Sequence, residues 1–364
     1  MGKSPTIVGA VRGRGAKSNH TGRFESARRE DFDDGWNDGD EPPPRLETTL
    51  TAMASKTVIA HNDSPDVGFS ASINPYRGCE HGCIYCYARP AHAYLGLSPG
   101  LDFESKLFFK SEAARLLERE LSKPRYVPEV IHIGGDTDPY QPIERRLRIT
   151  RSLIETLGRF HHAFSIITKS ALIVRDIDLL APIAARDQVR VAVSITSLDR
   201  KLARSMEPRA ATPDRRLDAV RQLSAAGVPV TVMFAPCIPG LNDHEMDAVL
   251  ERAAQAGARG AGYVALRLPL EIKDLFREWL ATDHPDRAAR VMSLVRQMRG
   301  GKDYDAQWGR RMKGQGPLAD LTSQRFKAAK KRYGLDQAFG PLDLSGFRVP
   351  PKAGDQMDLF GGAD

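Results

Sequence analysis

The sequence predicts an α/β fold on a parallel sheet of about six strands, open or curled into a partial barrel. Between residues 68 and 270, short β-branched runs alternate with longer amphipathic stretches, and such alternation implies right-handed βαβ units. Hydrophobic residues make up 41% and charged residues 27% of 364, ordinary usage for a chain that buries a core. No run approaches the roughly 20 apolar residues of a membrane-spanning helix, and the first residues lack the apolar stretch of a secretory signal. A soluble, cytoplasmic protein without membrane contact is expected.

The candidate strands are 69–74, 130–133, 163–168, 189–195, 228–235 and 262–268. Between them, 111–121, 145–157, 175–184, 213–226 and 243–256 carry apolar residues at helical spacing. In this architecture chemistry belongs at the C-terminal ends of the strands. Residues 271–335 read as helical, with a glycine-rich break in RGGKDYDAQWGRRMKGQG. Four regions follow: an N-terminal segment 1–60, a strand–helix core 61–275, a basic helical extension 276–345, and a flexible tail 346–364.

The first 45 residues join a Gly/Arg/Ser stretch, the acidic block EDFDDGWNDGDE and three prolines, Pro42 to Pro44. Few apolar side chains offset the ordering entropy there, so disorder is expected over most of the segment. The hexapeptide at 13–18, GRGAKS, lacks the Gly-Lys-Ser order and the preceding strand of a phosphate loop.

Net charge is +7. From Arg287 to Arg332 there are thirteen bases against three acids, so the rest of the chain is slightly acidic. A concentrated basic segment suits a polyanion, and Tyr304, Trp308 and Phe326 lie among its bases. Bases can contact phosphates while aromatics stack on unpaired nucleobases. A nucleic acid is therefore the expected partner of 287–332; a solvated helix face is the alternative. Near the C-terminus, Gln356, Leu359 and Phe360 resemble the QxxLF peptide by which bacterial DNA polymerases and repair proteins bind the sliding clamp.

Three of the four cysteines, Cys79, Cys83 and Cys86, form CxxxCxxC directly after the first strand. Thiolates this close can ligate one metal centre from a single loop, with Gly78 and Gly82 turning the backbone. Three thiols would leave one iron of a 4Fe–4S cluster without a protein ligand. Structural zinc would need a fourth ligand, and Cys237 would serve only if the fold brought it near.

The motif, with Tyr85 before its last cysteine and within NPYRGCEHGCIYCYARP, resembles the radical S-adenosylmethionine (SAM) superfamily, in the branch containing spore photoproduct lyase. The resemblance spans about residues 60–335. It implies a partial (β/α)6 barrel, a 4Fe–4S cluster on Cys79, Cys83 and Cys86, and SAM bound through the open iron. It also implies one-electron cleavage of SAM, hydrogen abstraction from a substrate, and a reductant such as flavodoxin or ferredoxin. Gly134, Gly135 and Asp136 stand where the family has its Gly-Gly-Glu contact to the SAM amino group, with Asp for Glu. Lys169 or Arg209 would meet the SAM carboxylate, Ser194 and Thr196 the ribose, and Ile238 and Gly240 the adenine, although Pro236 replaces the first glycine of that motif. Arg267 on the sixth strand would point to a phosphate or carboxylate.

Cys237 is a candidate hydrogen donor, or a small packed hydrophobe. Spore photoproduct lyase places its donor cysteine between the cluster motif and mid-barrel. None lies between Cys86 and Cys237 here, so that particular repair reaction is not carried over. The expected activity is radical SAM chemistry on nucleic acid, in DNA repair or base modification. The alternatives are an RNA- or peptide-modifying radical SAM enzyme and a non-catalytic iron–sulfur nucleic-acid-binding protein.

Overall fold

The structure, a computed structural model, describes residues 13–27, 46–337 and 339–351. Six parallel strands lie side by side in chain order: β1 (Ala71–Ile73), β2 (Ile131–Ile133), β3 (Phe164–Thr168), β4 (Val189–Ser194), β5 (Val230–Cys237) and β6 (Gly260–Ala265). Ile59–His61 pairs antiparallel with β1 at the edge. The two outer edges do not bond to each other, so the barrel is partial.

Strand order follows chain order, so crossovers of one hand put the helices on one face. The helices are α1 (Ala113–Leu121), α2 (Ile149–Arg159), α3 (Ile177–Ala184), α4 (Pro213–Ala225) and α5 (Met246–Gln255). Alternate strand residues such as Val191, Val193, Val230, Val232 and Phe234 are buried against Leu153, Leu157, Leu223 and Leu250. The opposite set, including Ser165, Ile167, Ala192, Thr231 and Met233, is half-buried on the concave face. At Gly262 a Cβ would lie 2.6 Å from Met233 Sδ, which shows how closely β5 and β6 pack there.

Three C-terminal helices, α6 (Ile272–Asp283), α7 (Pro285–Gln297) and α8 (Pro317–Arg332), lie in the stretch 271–335 that read as helical. They are not an appendage: Trp279, Phe276 and Val295 share one apolar cluster with Cys83 and Ile84. No helix among the described residues is long and apolar enough to cross a membrane.

Strand positions differ from expectation by a few residues. The sixth strand runs 260–265, two residues earlier than its apolar pattern suggested, so Arg267 lies beyond the strand rather than on it. Four short pieces went unforeseen: Ile59–His61 at the edge of the main sheet, Thr49–Ala52 and Lys106–Phe109, which pair in parallel, and Tyr76–Arg77, which joins Lys106–Phe109 antiparallel. Each is held by long-range pairing and carries little period of its own.

Within the N-terminal segment, where disorder was expected over most of the length, residues 14–18 are packed. Ala16 is fully buried, and Arg14, Lys17 and Ser18 are nearly so. Their order comes from partners far along the chain: Lys17 Nζ pairs with Asp283 at 2.9 Å, and Ser18 Oγ donates to Glu278 at 2.7 Å. Local composition carries no trace of such contacts. The acidic block and the QxxLF peptide lie outside the described residues.

Candidate functional site

The cysteine loop follows β1 on the side where the parallel strands end. Gly78 and Gly82 have φ of +77° and +68°, a region that favours glycine. A Cβ at Gly78 would also meet the Phe103 carbonyl at 2.8 Å. The loop's carbonyls are held by Arg89, which is fully buried. Its Nε donates to the Cys83 carbonyl at 2.9 Å, and Nη2 to the Gly82 carbonyl at 3.1 Å and to Glu104. Glu104 is fully buried too, and its two oxygens accept from the Gly15 and Ala16 amides at 2.9 Å each. A buried charge pair is tolerable only when the remaining hydrogen-bonding positions are filled; here backbone fills them.

Cys79 and Cys83 are buried and Cys86 is half-buried. Cys86 packs against the apolar groups around both of the others. Burial pushes all three thiols above their ordinary range, so a metal centre must displace their protons on binding. Cys237 belongs elsewhere: it is 2% exposed, packed in the sheet–helix core, and burial pushes its thiol up to about 12. The donor set is three thiols on one loop, and the fourth cysteine, Cys237, lies in a separate apolar cluster. It fits a 4Fe–4S cluster with one iron open and does not supply the fourth ligand of structural zinc.

Below the loop is a second buried network. The Tyr85 hydroxyl and Thr196 Oγ1 (2.7 Å) both donate to Glu207 Oε1, and Arg216 pairs with Glu207 Oε2. Arg216 also donates to the Ser194 carbonyl at 3.1 Å. Thr196 is fully buried and Ser194 2% exposed; in this arrangement the Thr196 hydroxyl and the Ser194 carbonyl brace the floor under Tyr85.

The second strand end is built on Asp138. Its Oδ1 accepts from Thr168 Oγ1 at 2.7 Å and its Oδ2 from the Lys169 amide at 2.7 Å, and His81 Nδ1 lies 3.4 Å from Oδ2. Burial alone would raise this carboxyl; the His81 imidazole and the two donors hold it down to about 2. One carboxylate therefore ties the ends of β2 and β3 to the cysteine loop. Gly134, at φ +93°, turns the chain against Pro139, while Asp136 is exposed and hydrogen-bonded to Asn74.

Lys169 stands half-buried with Nζ 3.4 Å from the Ala235 carbonyl and 5.8 Å from the centre of the Tyr85 ring. Burial pulls its ammonium below the ordinary value, while Cys83 and Asp138 pull the other way. It is a cation beside the cysteine loop with no ion pair among the described residues. Arg209 also reaches this loop, donating its amide to the His81 carbonyl at 3.3 Å, but its guanidinium is engaged by Glu80 at 3.0 Å. Ile238 is fully buried, and a Cβ at Gly240 (φ +75°) would meet Leu294 Cδ1 at 2.9 Å. The loop after β5 is thereby pressed against α7.

The basic extension divides. Arg299 is buried against the carbonyls of Leu266 and Arg310, Arg311 pairs with Asp66, and Arg332 pairs with Asp247. Phe326 is 8% exposed against Tyr263, Tyr304 is half-buried, and Trp308 is 54% exposed. Only Trp308 of the three has the exposure that base stacking requires.

Sequence reasoning missed Arg89, Glu104, Glu207, Arg216 and Asp138 as site builders. Arg89 sat inside the cysteine motif, so position beside the cysteines was an available signal, and Asp138 stood two residues past Asp136 at the end of the second strand. Glu104, Glu207 and Arg216 carried none, since a single charged residue in an amphipathic stretch reads as solvated surface.

The sequence pattern of the radical SAM superfamily matches residues 73–253, from β1 through the cysteine loop to α5. An uncharacterized protein of Mycobacterium tuberculosis is 38% identical over 230 residues, 63% of this chain and 68% of the relative. An uncharacterized protein of Methanocaldococcus jannaschii is 28% identical over 173 residues, 48% of this chain and 62% of the relative. Among solved structures, spore photoproduct lyase complexed with dinucleoside spore photoproduct has the same fold. Its TM-score is 0.56 at 15% identity, covering 78% of this chain and 79% of that one. With its three-thiol loop at the C-terminal ends of six parallel strands, the chain belongs to the radical SAM superfamily and is a radical SAM enzyme.

Proposed function

We propose that this enzyme holds a 4Fe–4S cluster on Cys79, Cys83 and Cys86, binds SAM at the adjoining strand ends, and acts on nucleic acid, a DNA base being the favoured substrate. When bound, the cluster and SAM supply one-electron cleavage of SAM and hydrogen abstraction from a substrate. The chain's own residues position and exclude water. Lys169 offers the cation for a carboxylate, Asp136 an exposed carboxylate for an ammonium, and the Tyr85–Glu207–Arg216 network a rigid floor.

One observation carries the substrate class. The loop between α7 and α8 is pinned across the end of β6: the Ala265 amide donates to the Met312 carbonyl at 2.8 Å, and Arg299 anchors both sides. It presents Lys302, Arg310, Lys313 and Trp308 to solvent, the three cations without an acidic partner among the described residues. Fixed cations beside an exposed aromatic suit a phosphate backbone with an unpaired base. The QxxLF peptide at Gln356, Leu359 and Phe360 would add a sliding-clamp contact, which favours DNA over RNA, and a flavodoxin or ferredoxin would supply the electron.

The test is anaerobic. Protein reconstituted with iron and sulfide receives SAM and dithionite, and 5′-deoxyadenosine is assayed beside Cys83→Ala. Product that vanishes in the variant supports the cofactor assignment; a chain that takes up no cluster and binds no SAM refutes it. Single-stranded DNA should bind with affinity that falls steeply with salt. Neutralising Lys302, Arg310 and Lys313 together should reduce the logarithmic salt slope by about 2. Affinity indifferent to salt would rule out the nucleic-acid reading.

A further inference from the structure

We propose that Arg267 is the receptor for an oxyanion of the substrate, the phosphodiester of a nucleic-acid strand, at the seam where the partial barrel is closed. The inference rests on the nucleic-acid reading above and assigns it a specific contact.

The seam is formed by two loops from opposite edges of the sheet. The turn between Ile59–His61 and β1 carries Asp66, and the loop after α7 carries Gly309 and Arg311. Gly309 donates its amide to Asp66 Oδ1 at 2.7 Å, and Arg311 pairs with Asp66 Oδ2 and donates to Ser64. Arg267, two residues past the end of β6, lies at this closure. Its guanidinium stacks over Tyr87 at 5.0 Å from the ring centre, and the Tyr87 hydroxyl is fixed on the Gly135 carbonyl. Tyr87 follows Cys86 directly, so the guanidinium stands next to the cysteine loop.

What marks Arg267 is its lack of a partner. Its Nε is buried with no hydrogen bond, and Nη1 finds only Met312 Sδ at 3.5 Å. No carboxylate among the described residues comes within ion-pair distance of it. The neighbouring acids are committed: Asp66 to Arg311 and Gly309, Asp136 to Asn74, and Asp305 to the Gln307 amide. Arg299 adds a further buried guanidinium on carbonyls alone. Of the three guanidiniums in this partly dry seam, Arg299 and Arg311 have oxygen acceptors and Arg267 has none among the described residues.

A buried donor without an acceptor costs folding free energy, so a guanidinium kept this way is suited to a ligand that completes it. Its planar fork matches a phosphate or carboxylate in two parallel hydrogen bonds. Stacking on a fixed ring holds the plane before the ligand arrives.

The test uses reconstituted enzyme and dithymidine monophosphate, compared with its uncharged methylphosphonate. Wild type should bind the charged dinucleotide at least tenfold more tightly. Arg267→Gln should bind both within twofold of each other, Arg267→Lys should keep part of the difference, and SAM affinity should be unchanged in both variants. A charge preference that survives in Arg267→Gln overturns the assignment. So does a variant that loses SAM affinity while keeping that preference, since the oxyanion would then be the SAM carboxylate. A wild type that binds the two dinucleotides equally overturns the Arg267 site but leaves the nucleic-acid reading standing, whereas failure to bind any oligonucleotide at low salt overturns both. Melting curves of the two variants within a few degrees of wild type show that the fold persists.

Discussion

The N-terminal strap over the cysteine loop gives the sharpest test of how this site is held together. Gly15 lies against the loop so closely that a Cβ there would stand 1.9 Å from the Gly82 carbonyl oxygen. That neighbour is backbone, so Gly15→Ala must lift the strap. Lifting it withdraws the Gly15 and Ala16 amides from Glu104. Hydrogen bonds to a charged group contribute about 1.5–3 kcal/mol each, so the strap loses about 3–6 kcal/mol of local stability. At about 1.4 kcal/mol per tenfold, transient opening rises by roughly two to four orders of magnitude. The assay is thiol trapping on the metal-free chain under anaerobic native conditions, read cysteine by cysteine. Cys83 shares an apolar cluster with Ala16, whereas Cys237 lies in the sheet–helix core and serves as the internal reference. Trapping of Cys83 should accelerate at least a hundredfold while Cys237 stays slow. Equal rates for Cys83 in wild type and variant, or parallel acceleration of both cysteines, would refute the reasoning. The second result would mean that the strap stabilises the whole fold and not this loop.

Other predictions concern the buried charges. Glu207→Gln strands the buried Arg216 guanidinium and should destabilise by about 3–5 kcal/mol in urea unfolding; adding Arg216→Met should recover part of that loss. Asp138 titrates near 2 in the fold against an ordinary value near 3.9. Its stability contribution, about 2–3 kcal/mol, is therefore present above roughly pH 4 and lost as pH falls toward 2; Asp138→Asn should be destabilised at neutral pH and show a flatter acid limb in thermal melts. With its thiol near 12, Cys237 should resist alkylation at pH 9, where an ordinary cysteine is mostly thiolate. The same raised value means that Cys237 favours the fold at neutral pH and loses that contribution as pH rises past about 8.5. Cys237→Ala should leave 5′-deoxyadenosine formation intact, and a variant that forms cluster but no product would return Cys237 to the reaction.

The order of six strands and five covering helices was legible because each strand buries one face and each helix one stripe, so periodicity along the chain reports burial across it. The cysteine loop was legible for a different reason: its three thiols come from neighbouring positions, and the spacing is therefore written locally. The same holds for Gly78, Gly82 and Gly134, whose left-handed backbone excludes most other residues. Residues whose role depends on a distant partner could not be read. Nothing near residue 15 shows that its amide will meet Glu104, and although Arg267 was read as facing a phosphate or carboxylate, nothing near it shows that the fold leaves its guanidinium without an oxygen acceptor. A buried ion pair, an orphaned donor and a packed strap are relations between segments brought together by the sheet. The sequence by itself determined the kind of fold and the three-cysteine loop. The tertiary structure alone decided which charges are compensated and which are left for a ligand, because desolvation and distance, not residue type, set the energy of a charge.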